Sequence, residues 1–391
     1  MIKLLTSLVL VISTLITPHA SNLNTRTIVS SEYTENTFDL SIDVRSAYLI
    51  EASTGTTLFS KDENEANAIA SVTKIMTLLL VMEALEENHF NLDDKVTISR
   101  NAASMGGSQV FLEEGEVISV EELIKCAVIA SANDASVALA ELVSGSEDAF
   151  INKMNKKAEQ LGLENTVFEN TTGLDDTTVN HHSCAKDVAV ISRELIKYDL
   201  ILKYSSVWQD SIRDGDMVLT NTNRLVRYYD GCNGLKTGST DKAGYCISVT
   251  AKRGNMQLIA VILGAKTKDE RNDAARALLD YGFANFALYE NGGGYLETIP
   301  VYGSIKDSLP LYTEKFTKVV QKSDFAKIEI VYDIPEYITA PIKENDAVGS
   351  VSYKIGDDNI GESKIYVSEN ADRITVFQVI MKILEKIIAG K

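Results

Sequence analysis

The sequence predicts an α+β domain followed by a small all-β domain and a terminal amphipathic helix. Three observations carry this expectation. Strand-like runs near residues 46–60 and 245–263 enclose a series of helical patterns, which suits one sheet with helices packed on it. The glycine run Asn291-Gly292-Gly293-Gly294 then marks a change to short β-like stretches. Apolar residues finally recur at helical spacing between Arg373 and Lys391.

The chain opens with Met1-Ile2-Lys3 and an apolar run, Leu4 to Ile16, the form of a secretory signal. Residues 1–20 are expected to be removed after Ala20, and residues 21–40 to form a polar leader. The first domain is expected over 41–290. Ser46 to Ile50 and Thr57 to Ser60 alternate as strands around the turn Ala52-Ser53-Thr54-Gly55. A helix is expected from Ser71, because 75, 78, 79, 82 and 85 are apolar. Met76, Leu80 and Val81 are apolar off that face, so the helix should be buried nearly all round. Further helices are expected over 121–129, 134–144, 147–161, 185–198 and 269–287. Between the last two, Tyr245 to Thr250 and Gln257 to Leu263 are joined by Lys252-Arg253-Gly254-Asn255, a hairpin signal.

Beyond the glycine run, strands are expected at Leu296–Val301, Lys327–Tyr332, Val348–Tyr353 and Lys364–Val367, giving a β-sandwich or barrel over 296–370. In 372–391, Phe377, Ile380, Met381, Leu384, Ile387 and Ile388 share one side of a helix, with Lys382, Glu385 and Lys386 elsewhere on the wheel. The run is too short and too often charged to span a bilayer. A basic amphipathic helix lying on a membrane surface is the expectation.

Composition excludes some classes. A formal net charge of −17 argues against a nucleic-acid partner, whose footprint would be basic. The four cysteines (126, 184, 232, 246) lack metal-ligand spacing and suit buried free thiols. No His-Glu-x-x-His occurs, so no metal or other cofactor is expected.

The chemistry concentrates in three short motifs. Ser71-Val72-Thr73-Lys74 begins the first helix, so the hydroxyl and the amine at i and i+3 share a face. Two other Ser-x-x-Lys matches, at Ser183 and Ser239, show that this spacing alone is equally that of a helix cap beside a solvated lysine. What distinguishes Ser71 is Ser131-Ala132-Asn133 after a helix and Lys236-Thr237-Gly238 ahead of the apolar strand. In that order the three motifs resemble those of the penicillin-binding serine D,D-peptidases, and within them the low-molecular-mass D-alanyl-D-alanine carboxypeptidases. Asp43–Tyr48, Asn170–Leu174, Gly234–Thr240, Ala243–Tyr245 and Ala340–Lys343 match segments typical of that group. The resemblance spans nearly the whole mature chain.

It implies a penicillin-binding/β-lactamase-like transpeptidase fold, an exported enzyme at the outer face of the cytoplasmic membrane, and a stem peptide ending in D-Ala-D-Ala as substrate. It also implies roles. Ser71 is the expected nucleophile, Lys74 its base, and Ser131 the proton relay to the leaving amine. Asn133 is expected to hold the substrate amide, Lys236 and Thr237 the terminal carboxylate, and Arg271 to assist them. The oxyanion hole would use the N–H groups of Ser71 and Ser239, and Gly238 would let the strand approach the substrate closely. An unactivated hydroxyl is a weak nucleophile, and Lys74 can serve as base only if burial and the charge of Lys236 depress its pKa. β-Lactams would be trapped as the acyl-enzyme.

Two positions depart from the family pattern, Ile69 and Thr171, where proline is frequent; neither removes a reactive group. A serine β-lactamase shares two of the motifs, but Thr166-Val167-Phe168-Glu169-Asn170 lacks its Glu-x-x-Leu-Asn. A D,D-transpeptidase would use the same residues. A catalytically idle wall-binding scaffold would have lost Ser71, Lys74 or Lys236, and all three are present.

Overall fold

The computed structural model describes residues 42–176 and 178–388. The expected signal and leader segments, and the last three residues of the terminal helix, lie outside them. Strands β1 (Ser46–Glu51) and β2 (Thr57–Lys61) pair across the predicted turn. A 3₁₀ turn, Ala70–Thr73, leads into α1 (Lys74–Glu86). Then come α2 (Val120–Lys125), which runs on into a π turn at Cys126–Ala130, α3 (Asn133–Ser144), α4 (Glu147–Gln160) and α5 (Ala185–Leu195). β3 (Cys232–Thr240), β4 (Gly244–Arg253) and β5 (Met256–Ala265) follow, with α6 (Lys268–Asn285) closing the region.

These strands form one antiparallel sheet in the order β2-β1-β5-β4-β3. Its two faces explain why β5 reads as an unbroken apolar run. Ile259, Val261 and Leu263 pack into the core that holds α1, while Leu258, Ala260 and Ile262 pack under α6. Side chains alternate across a strand, so a sheet covered on both faces needs apolar residues at every position. α1 lies inside the first core, with Ile75, Met76 and Leu78 to Met82 all buried. That central position accounts for its apolar circumference.

Helix α5 and helix α6 end earlier than periodicity suggests. Ile196 and Lys197 form a turn before a short helix at Asp199–Ser205, and Phe286 starts a strand. That strand, β6 (Phe286–Asn291), pairs antiparallel with β9 (Phe316–Gln321) although it precedes the glycine run. Leu288 packs under α6 while Tyr289 packs with the distal core, so β6 serves both cores.

The remaining strands are β7 (Gly294–Tyr302), β8 (Ser308–Thr313), β10 (Ile328–Asp333), β11 (Ile338–Thr339), β12 (Ala347–Ile355) and β13 (Asp358–Val367). They make a six-stranded sheet in the order β10-β12-β13-β8-β7-β11. Strands β8 and β9 went unpredicted. β8 carries Pro310, which normally demotes a central strand; its partner β7 shifts register between Tyr295 and Thr298, where Thr298 stands opposite the proline. Helix α7 (Val376–Ile388) ends the described chain, and no described helix is long and apolar enough to cross a membrane.

Candidate active site

Ser71 sits in the 3₁₀ turn that opens α1, and Lys74 begins the helix itself. Lys74 is fully buried. Its Nζ lies 3.0 Å from Ser71 Oγ, 2.6 Å from Asn133 Oδ1 and 2.9 Å from the Thr172 carbonyl oxygen. Two of those partners can only accept. A neutral amine has two N–H groups and one lone pair, so the carboxamide and the carbonyl take both hydrogens and the lone pair faces the Ser71 hydroxyl. Asn133 is held in the required orientation, because its Nδ2 donates to the Gly106 carbonyl at 2.7 Å. Burial first, and then the charge of Lys236, push the Lys74 pKa well below its usual value; the Asp134 carboxylate pulls weakly the other way.

Ser131 lines the same cleft as Ser71. The π turn after α2 adds a residue to the helical repeat, and Ser131 then takes a left-handed conformation (φ +61°) before Asn133 opens α3. The local backbone thus turns two successive polar residues of one motif inward.

The Lys236-Thr237-Gly238-Ser239 stretch lies on β3, the sheet edge beside the nucleophile's turn. A Cβ on Gly238 would stand 2.7 Å from Ser71 N and 2.9 Å from both Ile69 O and Val72 N, so only glycine permits this approach. Lys236 is buried, and its Nζ donates to the Thr237 carbonyl at 3.0 Å. Burial, then the neighbouring Arg271 charge, bring its pKa down to about 7. The Thr237 hydroxyl donates to that of Thr222 at 2.8 Å. Arg271, in the first turn of α6, is also buried; burial lowers its pKa to about 10, so it stays cationic at neutral pH.

Six predicted residues (Ser71, Ser131, Thr237, Gly238, Ser239 and Arg271) therefore line one cleft of about 270 Å³. Lys74, Asn133 and Lys236 stand behind its wall. Both ends of the Asn133 carboxamide are engaged by the protein, which aims it at Lys74 more directly than at a substrate. Ser108, Thr222, Arg224, Lys268 and Asn272 complete the lining, and none of them belongs to a recognisable motif. A larger hollow of about 540 Å³ between Phe111, Glu113–Glu116 and Arg213 contains no nucleophile, and its arginine is already paired with Glu116. Among the described residues no group of His, Cys, Asp or Glu is arranged to hold a metal ion.

Residues 31–267 match the family described as D-alanyl-D-alanine carboxypeptidase, and residues 283–373 match the C-terminal domain of penicillin-binding protein 5. The chain belongs to the D-alanyl-D-alanine carboxypeptidase family. The carboxypeptidase DacF of Bacillus subtilis is 42% identical over 344 residues, covering 86% of this chain and 88% of its own. Penicillin-binding protein 5 of Haemophilus influenzae superposes with a TM-score of 0.73 at 29% identity, over 85% of this chain and 98% of that one. Penicillin-binding protein D2 of Listeria monocytogenes, solved with ampicillin bound, gives 0.58 at 31% identity over 63% and 99%. The carboxypeptidase is thus a serine hydrolase with a penicillin-binding protein fold, and its family acts on cell-wall peptidoglycan outside the cytoplasm.

Proposed function

We propose that this carboxypeptidase removes the terminal D-alanine from peptidoglycan pentapeptide stems through an acyl-enzyme on Ser71. The observation that carries the reading is the buried Lys74 amine, held by Asn133 Oδ1 and the Thr172 carbonyl with its Nζ 3.0 Å from Ser71 Oγ. Lys74 takes the hydroxyl proton as Ser71 Oγ bonds to the penultimate D-alanine carbonyl carbon. The N–H groups of Ser71 and Ser239 receive the developing oxyanion. The C–N bond then breaks, and the proton passes through Ser131 to the leaving D-alanine amine. Arg271 and the Thr237 hydroxyl hold the terminal carboxylate, with Lys236 reinforcing the positive end of the cleft. Water hydrolyses the ester and restores the serine.

A β-lactam presents a strained amide to the same atoms. Brief incubation with penicillin followed by mass spectrometry is expected to give one adduct on the peptide containing Ser71. Free penicilloate without a lasting adduct would instead favour a β-lactamase. No reaction would remove Ser71 from its role.

The same reading places the enzyme at the outer face of the cytoplasmic membrane, exported by its N-terminal signal and resting on the bilayer through α7. Support comes from how α7 meets its own domain. Lys382 Nζ contacts the Ile305 carbonyl at 3.1 Å and Asp307 at 2.6 Å, so this residue of the polar side turns inward. Phe377, Ile387 and Ile388 are 71%, 69% and 83% exposed. A helix packing on its own domain would do the reverse.

A further inference from the structure

His181 is buried and takes no part in the mechanism above, yet it joins two segments that both touch Lys74. Its Nδ1 accepts the Glu169 N–H at 3.1 Å, which leaves the ring proton on Nε2 to be donated to Thr73 Oγ1 at 2.7 Å. Thr73 belongs to the nucleophile's own turn. Glu169 begins the segment whose Thr172 carbonyl accepts from Lys74 and whose Thr171 carbonyl accepts from Thr77 at 2.7 Å. Gly173 in that segment (φ +80°) lies so close that an added Cβ would stand 1.9 Å from the Ala70 carbonyl and 2.7 Å from Thr73 Oγ1. Asn170 Oδ1 folds the segment by accepting from the N–H groups of Thr172 and Gly173, and the Glu169 carboxylate ties it to Val179 and Asn180. The Glu169 and Asn170 bonds therefore draw the two described ends of this segment, 169–176 and 178–181, together. His181 is the side chain that fastens that segment to the turn carrying Ser71.

We propose that His181 is a positioning residue, whose bond to Thr73 holds the Thr172 carbonyl on the Lys74 amine and so keeps the amine aimed at Ser71. The ring must be neutral to accept from Glu169. Burial keeps it so, lowering its pKa to about 4 against the opposing pull of Glu169 and with small aid from His182 and Lys242. The inference rests on the reading of Lys74 as base.

The two bonds can be separated. His181→Asn retains an acceptor for Glu169 and loses the donor to Thr73, whereas His181→Gln extends a donor towards Thr73. Thr73→Val removes the other end of the same bond and serves if His181→Asn does not fold. The second-order rate of penicillin acylation is measured against pH, beside the thermal unfolding midpoint. His181→Asn and Thr73→Val are each expected to acylate about tenfold more slowly, with the double variant no slower than either. Their acid limb is expected to move to lower pH, because the Lys74 ammonium has lost an acceptor. His181→Gln is expected to recover most of the rate. Wild-type rate and limb in His181→Asn, a His181→Gln as slow as His181→Asn, or additive losses would each overturn the inference. Failure of Lys74 as base would show differently, as undiminished acylation in Lys74→Met.

Discussion

Two regions of this molecule place side chains against the usual rule of burial, and they do so in opposite directions. In the cleft, Lys74 and Lys236 are 0% and 1% exposed and have no carboxylate in salt-bridge contact among the described residues. On α7, Val376 and Ile388 are 78% and 83% exposed. Burial disfavours the charged form of each lysine, and at Lys74 the positive charge of Lys236 adds to that effect and favours the neutral amine. That is the property a lysine base requires. Exposed isoleucine has no such internal remedy; its cost is relieved only by something apolar outside the molecule. The cleft thus spends folding stability on reactivity, whereas α7 leaves a surface to be covered.

The comparison breaks most sharply at the nucleophile. Ser71→Ala is expected to abolish penicillin labelling, and Lys74→Met to slow it by about 10³-fold or more, with both proteins folded. Intact-mass measurement over a penicillin time course checks this. Labelling of Ser71→Ala at any rate would sink the nucleophile assignment.

A smaller effect concerns Lys236. Its folded pKa, about 7, lies below the ordinary lysine value of about 10.4. Between those limits the unfolded chain binds more protons than the folded one, so this group makes stability rise with pH from about 7 to 10. Below that window the penalty is constant. Lys236→Met is expected to be more stable than wild type near pH 6, by on the order of 3–5 kcal/mol, with the advantage fading towards pH 10. Urea unfolding at several pH values tests it; parallel stability curves would show that Lys236 is not strained by burial.

Much of this was legible in the sequence, for reasons that differ by residue. Ser71 and Lys74 stand one turn apart where the 3₁₀ turn runs into α1, so their spacing states their proximity. Lys236 to Ser239 share a strand that only glycine at 238 lets approach the turn, so their identity and order were informative together. The partners of Lys74 were partly hidden. The carbonyls of Thr172 and Gly106 act through backbone, which leaves no signature in residue type. His181 lies 108 positions from Thr73, and a single histidine without a motif gives no hint of what it fastens. Arg224 and Lys268 look like any surface cations until the fold brings them to the cleft. In the distal domain, burial alternates along β8 through Leu309, Leu311 and Thr313, but Pro310 masks the pattern. β9 was missed as well: its residues are mostly half-buried and it exists because it pairs with β6, across the glycine run, a contact that no local window contains.

The smallest effect on the folded protein is expected at the other pole of the comparison. Ending the chain at Ile374 keeps the Ile374 N–H bond to the Gly303 carbonyl at 2.7 Å and the pairing of Ile342 with Ala371. What goes is a helix that meets its own domain through Lys382, which reaches the Ile305 carbonyl and pairs with the exposed Asp307. Such pairs contribute little, about 0–1 kcal/mol, and no apolar side chain of α7 among the described residues is buried, Val376 and Ile388 being the most exposed. The truncated enzyme should therefore unfold within about 1 kcal/mol of the full chain and react with penicillin at the same rate. Its binding to vesicles containing anionic lipid should fall by at least about tenfold, since the apolar side chains and the basic residues leave together. Cosedimentation with such vesicles, read beside urea unfolding, separates the possibilities. Retained vesicle binding would place the membrane contact elsewhere, and a large loss of stability would mean that α7 is covered by its own domain in solution.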